Sequence, residues 1–107
     1  MAIQCFQEQT FANKELIAFD DNGTLSGYSN HLVTVIRTDH AIDVHVKLRA
    51  MIEVAKGSLI ARWDDDDWHS PRRISTQVNA MLARDPPARM CGNSCLVFLD
   101  DDANQAY

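Results

Sequence analysis

The sequence predicts an α/β fold in which a mostly parallel sheet is flanked by helices. Two short apolar segments rich in strand-forming residues, 15–19 and 31–37, precede a helical stripe of apolar residues. A third apolar segment, 58–63, and a second helical stripe follow in the same order. Such alternation of strand and helix is typical of parallel sheets, because the helices pack on the sheet faces. We expect a single domain over residues 1–107.

Composition and charge exclude several classes of protein. Hydrophobic residues make up 46% of the chain and charges of both signs are present, which is typical of a globular protein. The net charge of −5 disfavours non-specific binding to nucleic acid or to an anionic membrane. No apolar run approaches the roughly 20 residues of a membrane span, and the first residues lack the features of a signal peptide. A cytoplasmic location and free, unpaired cysteines are therefore expected.

The first half of the chain is expected to contain the end of a helix, two strands and a turn. Residues 2–9 have the pattern of the last turns of a helix. The segment 15–19 is the first expected strand, and it ends at Asp20-Asp21-Asn22-Gly23, a strong turn signal. The β-branched segment 31–37 is the second expected strand.

A helix is predicted over residues 43–56 because four apolar residues recur on one helical face. Gly57 is expected to end this helix in the left-handed conformation that glycine adopts readily. Residues 58–63 are then the third expected strand. The residues of the helical face are Val44, Leu48, Ile52 and Ala55.

A second helix is predicted after residue 70. Ser70 is a suitable N-cap, and Pro71 suits the first helical position. Asp85-Pro86-Pro87 is expected to stop this helix, and residues 95–99 are a candidate fourth strand. The apolar stripe of the helix consists of Ile74, Val78, Met81 and Leu82.

Two acidic clusters follow expected strands. Asp20-Asp21 comes directly after the first strand, and the run from Asp64 to Asp67 comes directly after the third. Ligands of parallel sheets bind outside the carboxyl ends of the strands. If these two strands run parallel, both clusters lie at one edge of the sheet, where they could form a single site.

The run from Asp64 to Asp67 suits a divalent cation. Four adjacent carboxylates repel one another, whereas Mg²⁺ and Mn²⁺ prefer oxygen ligands and often use one or two carboxylates plus substrate phosphates. The alternative is a solvated acidic turn, which is the usual role of a charge run. The run lies between a strand and a capped helix, with Trp63 and Trp68 on either side, so the metal interpretation is favoured.

The residues around the acidic run have expected environments of their own. Trp63, as the last residue of a strand, is expected in the core, and Trp68 is a candidate for a binding pocket. His69 is expected at the surface, and Arg72 and Arg73 in ordinary salt bridges.

A second hypothesis centres on Asp20. The segment 19–25, Phe-Asp-Asp-Asn-Gly-Thr-Leu, resembles the motif of haloacid-dehalogenase phosphatases, in which a nucleophilic Asp is followed two residues later by a general-acid Asp. That second position is Asn22 here, and an amide cannot transfer a proton. A small phosphatase-like enzyme is therefore kept as an alternative.

Several segments together resemble glycosyltransferase family 2. Gln9-Thr10-Phe11 and the strand closing on Asp20-Asp21 match the start of that domain. Residues 55–61, Ala-Lys-Gly-Ser-Leu-Ile-Ala, match the lead-in to its metal motif. The motif itself is similar to residues 63–68, with Pro71 and Gln77-Val78 behind it. The likeness runs from about residue 2 to the end of the chain.

The resemblance implies a transferase of the GT-A fold, a partial Rossmann-like three-layer sandwich, that uses a nucleoside-diphosphate sugar. Asp64 and Asp66 would form the Asp-x-Asp pair for Mn²⁺ or Mg²⁺. Asp21, with Asp20 beside it, would contact the nucleotide base. The implied donor-nucleotide contacts are Asp20, Asp21, Lys47, Asp64, Asp65 and Trp68, and the implied metal ligands are Asp66 and Asp64.

The chain departs from the family pattern at both ends. It starts inside the first helix, after the family's opening strand, so the edge where that strand would pair is expected to be exposed and could mediate homo-oligomerisation. The family's catalytic base lies well beyond the metal motif, and the catalytic residue is unknown here. Asp100-Asp101-Asp102 is expected to be a solvated tail. A catalytically incomplete remnant is therefore an alternative, and the acceptor (a glycan, a lipid or a small molecule) is not specified.

Overall fold

The computed structural model describes residues 1–28 and 30–93, and the backbone of two short strands beyond them. The chain divides into two compact units, Met1–Ile74 and Ser75–Tyr107. No helix among the described residues is long and apolar enough to cross a membrane. The elements are α1 (Ala2–Gln7), β1 (Leu16–Asp20), β2 (Val33–Arg37), α2 (Val44–Val54), α3 (Arg73–Leu82), β3 (Leu99–Asp100) and β4 (Gln105–Ala106).

Strands β1 and β2 form a parallel pair, as the sequence predicts. Leu16 is in register with Val33, and Asp20 with Arg37. The amide of Thr38 donates to the carbonyl of Asp20 at 3.2 Å, which continues the pairing past the last register position. The carboxyl ends of both strands therefore meet at one edge of the first unit.

Helix α1 packs into the small core of the first unit. Cys5, Phe6 and Val33 are the buried hydrophobic residues of the described chain. Lys14 closes the carboxyl end of α1, where its ammonium group donates to the carbonyl of Gln7 at 3.1 Å and lies 5.2 Å from the centre of the Phe6 ring. The helical segment predicted over residues 2–9 is confirmed, and the helix covers Ala2–Gln7.

Helix α2 begins as predicted but ends differently. The carboxylate of Asp43 caps it by accepting from the amide of His45 at 3.1 Å. The chain leaves the helix at Ala55 in an extended conformation, and Gly57 has no positive φ angle, so the predicted left-handed ending is wrong. The carboxylate of Glu15 accepts from the amides of Lys56 and Gly57, at 2.6 and 3.0 Å. Glu15, which is distant in sequence, thus provides the hydrogen-bond acceptor for these two amides, and the helix ends without a glycine cap.

The predicted third strand is not formed. Residues 58–63 lie within the described part of the chain, yet they pair with no strand. Leu59 and Ile60 are both exposed, whereas an inner strand of a parallel sheet is buried on both faces. The segment has the residue types of a strand, but such residues form a strand only when they pair with another one.

A buried glutamine joins the end of α1 to the start of α3. The Gln9 side chain donates to the carbonyls of Cys5 and Ser70, at 3.1 and 2.7 Å, and accepts from the amide of Ile74 at 3.1 Å. Helix α3 starts at Arg73, later than predicted, because a turn from Ser70 to Arg73 precedes it. The amide of Ile74 is a free donor of the first helical turn, so Gln9 caps the helix from outside it.

The second unit contains most of α3 and two short strands. Leu99 pairs with Ala106 and Asp100 with Gln105, in antiparallel orientation. Of the predicted fourth strand, residues 95–98 lie outside the described residues. The amide of Ala88 donates to the carbonyl of Met81 at 3.0 Å, which folds the chain back on α3 after the helix ends.

Candidate functional site

The first group of candidate residues lies at the carboxyl edge of β1 and β2, and we call it the edge cluster: Asp20, Asp21, Arg37 and Lys47. The turn that follows β1 contains Gly23 with a φ of 77°, in the left-handed region. This conformation brings the amides of Thr24 and Leu25 back toward the strand end, where Asp20 receives them.

Asp20 is the buried member of the edge cluster. One carboxylate oxygen accepts from the amide of Thr24 and the other from the amide of Leu25, both at 3.1 Å. The Nε atom of Arg37 lies 3.8 Å from the second oxygen, and the Asp20 side chain is only 1% exposed. A carboxylate held in this way fixes the turn and has little surface left for a ligand.

Arg37 completes the support of the turn. Its guanidinium donates to the carbonyl of Leu25 at 2.6 Å and approaches that of Tyr28 at 3.4 Å. The sequence pattern does not reveal this role of Arg37. Its position at the end of the second predicted strand is the feature of the sequence that points to it. The structure places it in register with Asp20.

Asp21 and Lys47 meet at the same edge, although they come from different elements. Their side chains form an ion pair, and the Asp21 carboxylate also approaches the amide of Ile42 at 3.4 Å. The hydrogen bond from Lys47 is the largest cause that lowers the pKa of Asp21; desolvation opposes it, and the Ile42 amide adds to it. The pair is partly exposed, at 19% for Asp21 and 25% for Lys47, so it can reach a ligand.

The second group is the acidic loop, residues 64–67, followed by Trp68. Asp64 is half-buried and pairs with the Nε atom of Arg62 at 3.0 Å. The side chains of Asp65, Asp66 and Asp67 are exposed, and Trp68 is 65% exposed. The loop therefore presents carboxylates and an aromatic ring to solvent.

Three residues near the ends of the loop pack against one another, and we call them the anchoring cluster: Trp63, His69 and Arg73. The rings of Trp63 and His69 lie 4.0 Å apart, and the Arg73 guanidinium lies 4.9 Å from the centre of the Trp63 ring. His69 is 7% exposed, so the prediction of a surface histidine is wrong. Burial, and then the positive charge of Arg73, lower the pKa of His69.

The roles expected for the flanking residues are corrected in part. Trp63 is half-buried and ends no strand; its indole donates to the carbonyl of Ala2 at 3.1 Å. Arg73 forms no salt bridge among the ion pairs of the described residues, because its guanidinium is directed at His69 and at the carbonyl of Arg62. The sequence pattern did not reveal this cluster, since none of its contacts follows from helical or strand spacing.

The predicted meeting of the two acidic clusters at one sheet edge loses its basis. It required a third strand ending at Asp64, and no such strand forms. Among the residues that the structure describes, no hydrogen bond or ion pair joins the acidic loop to Asp21 or Lys47. The edge cluster and the acidic loop are two separate groups in their direct contacts.

The acidic loop offers carboxylate oxygens, the type of ligand that Mg²⁺ and Mn²⁺ prefer. Within the described chain, no group of three or more His, Cys, Asp or Glu side chains is arranged to hold an ion. Mg²⁺ and Mn²⁺ often use only one or two protein carboxylates and take further ligands from phosphates and water. Asp64 and Asp66 can supply two carboxylates of that kind.

Comparison with known proteins identifies the family. The family model described as glycosyl transferase family 2 matches residues 2–87, which include both groups of candidate residues. No significant match was found among curated proteins or among solved structures. The parallel strands and helices agree with the α/β, partial Rossmann-like GT-A fold expected from the sequence. The match covers well over half of the chain, which therefore belongs to glycosyl transferase family 2.

Proposed function

We propose that this chain binds a nucleoside-diphosphate sugar through a divalent metal at the acidic loop, and transfers the sugar to an acceptor hydroxyl. The observation that carries the proposal is the form of this loop. The carboxylates of residues 65–67 are exposed, while the residues on both sides of the loop form hydrogen bonds to the rest of the fold. Charge repulsion makes such an arrangement unfavourable by itself, and a cation bridging to a diphosphate would relieve it.

Asp66 and Asp64 are the proposed metal ligands, with Mn²⁺ or Mg²⁺ as the ion. When bound, the metal would neutralise the diphosphate leaving group. Arg62 holds the Asp64 carboxylate at 3.0 Å, which restricts its rotamers before any ligand arrives. Asp65 and Trp68 stand beside the pair and are proposed to contact the donor nucleotide.

Asp21 is the proposed contact for the nucleotide base, since its carboxylate can accept a hydrogen bond. The hydrogen bond from Lys47 lowers the pKa of this carboxylate and so favours the charged form, which accepts hydrogen bonds. Asp20 supports the contact indirectly, because both of its oxygens are bound to the turn. The same burial argues against a phosphatase mechanism, in which Asp20 would have to reach a phosphorus atom.

A binding domain without turnover is the second candidate. The observation in its favour is the apolar face of α2, where Val44, Leu48 and Ile52 are exposed, as expected of a surface that another polypeptide covers. Under this second hypothesis the chain binds the sugar donor, or it associates with a further copy through its exposed sheet edge. It then has no base that deprotonates an acceptor. Release of free nucleoside diphosphate during incubation with sugar donors separates transfer or hydrolysis from binding alone.

Calorimetric titration of the full chain tests the proposal. UDP, GDP, CDP and ADP are added in the presence of Mn²⁺ and again in the presence of EDTA. We expect one of them to bind with Mn²⁺, and about tenfold or more weakly without it, since the metal bridges protein and diphosphate. Binding of none of them with Mn²⁺, or equal binding with EDTA, would refute the proposal.

Two variants sharpen this titration. Asp66→Asn removes one charge from the proposed metal ligands and is expected to abolish the difference between Mn²⁺ and EDTA. Asp39→Asn removes the same charge from an exposed residue outside the loop, and is expected to leave the difference unchanged. Equal loss in both variants would assign the effect to net charge alone.

A further inference from the structure

One guanidinium group joins the two ends of the acidic loop. The Nη2 atom of Arg73 donates to the carbonyl of Arg62, which precedes the loop, at 2.9 Å. Its Nη1 atom lies 2.8 Å from Nδ1 of His69, which follows the loop. A planar guanidinium can donate to a carbonyl and lie against an aromatic ring at the same time.

His69 extends this connection into the loop. The Nη1 atom of Arg73 also lies 3.3 Å from Nε2 of His69, so the guanidinium lies against the imidazole beside both ring nitrogens. The Nε2 atom lies 3.4 Å from the carbonyl oxygen of Asp64, the first residue of the loop.

Trp63 connects this cluster to the rest of the first unit. The Arg73 guanidinium and the His69 ring both contact its indole, and its Nε1 atom donates to the carbonyl of Ala2 in α1. Arg73 thus bridges the two ends of the segment 62–69, and the carboxylates of 65–67 are exposed to solvent. Fixed ends reduce the conformations available to the loop, and hence the entropy lost when it binds a ligand.

We propose that Arg73 is a positioning residue, which acts through His69 to hold Asp64 and Asp66 in the arrangement that grips a metal-bound diphosphate. This inference rests on the proposed function of the loop and adds the residues that prepare it. It predicts that Arg73 affects metal-dependent binding without touching metal or nucleotide. It also predicts that lysine cannot replace it, because an ammonium group lacks the planar shape that makes both contacts possible.

Cleavage by endoproteinase Asp-N, which cuts before aspartate, tests the anchoring in the absence of any ligand. We compare wild type with Arg73→Gln and Arg73→Lys, and follow cuts in the loop and before Asp43 by mass spectrometry. Both variants are expected to raise loop cleavage about tenfold, because hydrogen bonds to a charged group are lost, while cleavage before Asp43 stays unchanged. Arg49→Gln, which removes an exposed arginine paired with Glu53, serves as the matched control. Unchanged loop cleavage in both Arg73 variants would overturn the inference.

Titration with Mn²⁺ and the best-binding nucleoside diphosphate tests the positioning. Both Arg73 variants are expected to bind the metal-dependent probe about tenfold more weakly, with the residual binding in EDTA unchanged. Wild-type affinity in either variant, or full rescue by Arg73→Lys, would overturn the positioning role. If wild type binds no nucleotide while loop cleavage still rises in the variants, the proposed function fails and the anchoring by Arg73 stands.

Discussion

Asp20 and Asp21 are adjacent in sequence, yet their environments give them different roles. Asp20 is buried with both oxygens bound to backbone amides, whereas Asp21 is partly exposed and paired with Lys47. The sequence predicts the pair and its turn, but not this division. The direction of each side chain depends on Arg37 and Lys47, which arrive from other elements.

Removing the Asp20 carboxylate is expected to destabilise the fold. Asp20→Ala leaves the amides of Thr24 and Leu25 without their acceptor, and we expect a loss of about 2–3 kcal/mol in the free energy of unfolding. Urea denaturation measures it. Asp39→Ala is the control, since the Asp39 side chain is almost fully exposed, and it is expected to change stability by less than about 0.5 kcal/mol. Equal losses in the two variants would contradict the assigned role of Asp20.

Asp21 is expected to make stability depend on pH in the acid range. Its pKa is lower in the folded chain than the ordinary value of about 3.9, so its contribution is fully present above that value and is lost as the pH falls through the folded pKa. Wild type is therefore expected to exceed Asp21→Asn in stability at pH 7, and the difference to shrink below about pH 4. Denaturation curves of both proteins from pH 7 to pH 2.5 measure this, and a difference that grows on acidification would contradict the Asp21–Lys47 pairing.

At the scale of elements, Gln9 couples two helices that are far apart in sequence. Its amide bonds to the carbonyls of Cys5 and Ser70 and to the amide of Ile74. In the sequence, Gln9 stands out only as part of the segment Gln9-Thr10-Phe11 that resembles the family. Helical periodicity has no signal for a polar side chain that is buried because three backbone groups surround it.

Replacing Gln9 by leucine is expected to lower the unfolding free energy by about 2–3 kcal/mol, because three backbone groups lose their partner at nearly constant side-chain volume. Gln7→Leu is the matched control, since Gln7 is exposed and its side chain donates only to the hydroxyl of Tyr28. Thermal or urea denaturation compares the two variants. Equal stability of Gln9→Leu and wild type would show that Gln9 does not couple the helices.

Local patterns predict the type of an element, but they do not show whether a strand has a partner to pair with. The 3.6-residue stripe predicts α2, and the β-branched segments predict β1 and β2. The third strand is predicted wrongly because a strand depends on a partner, and residues 58–63 pair with no other described segment. The burial of His69 is missed for the same reason, since it depends on Trp63 and Arg73.

At the scale of the whole chain, exposed apolar side chains favour self-association. Val44 and Ile52 on α2, and Ile60 after it, are all more than half exposed. Soluble monomers rarely leave clustered apolar side chains in water, because burying them is favourable. Within the part of the chain that the structure describes, no third strand joins the outer edges of the β1–β2 sheet.

Self-association is therefore expected to increase with concentration. Sedimentation velocity from about 5 to 200 µM is expected to show a rising weight-average sedimentation coefficient, since association follows mass action. Ile52→Lys places a charge on the apolar face of α2 and is expected to reduce this rise. A sedimentation coefficient that is constant for wild type over the whole range would contradict the expected association.

The central claim is that the acidic loop holds a metal ion together with a diphosphate. Electron paramagnetic resonance of Mn²⁺ tests it most directly, because the sharp signal of the aqueous ion broadens when the ion is bound. Wild type with the preferred nucleoside diphosphate is expected to deplete the aqueous signal well beyond the nucleotide alone, and Asp66→Asn is not. Equal depletion by wild type and Asp66→Asn, or none beyond the nucleotide alone, would contradict it.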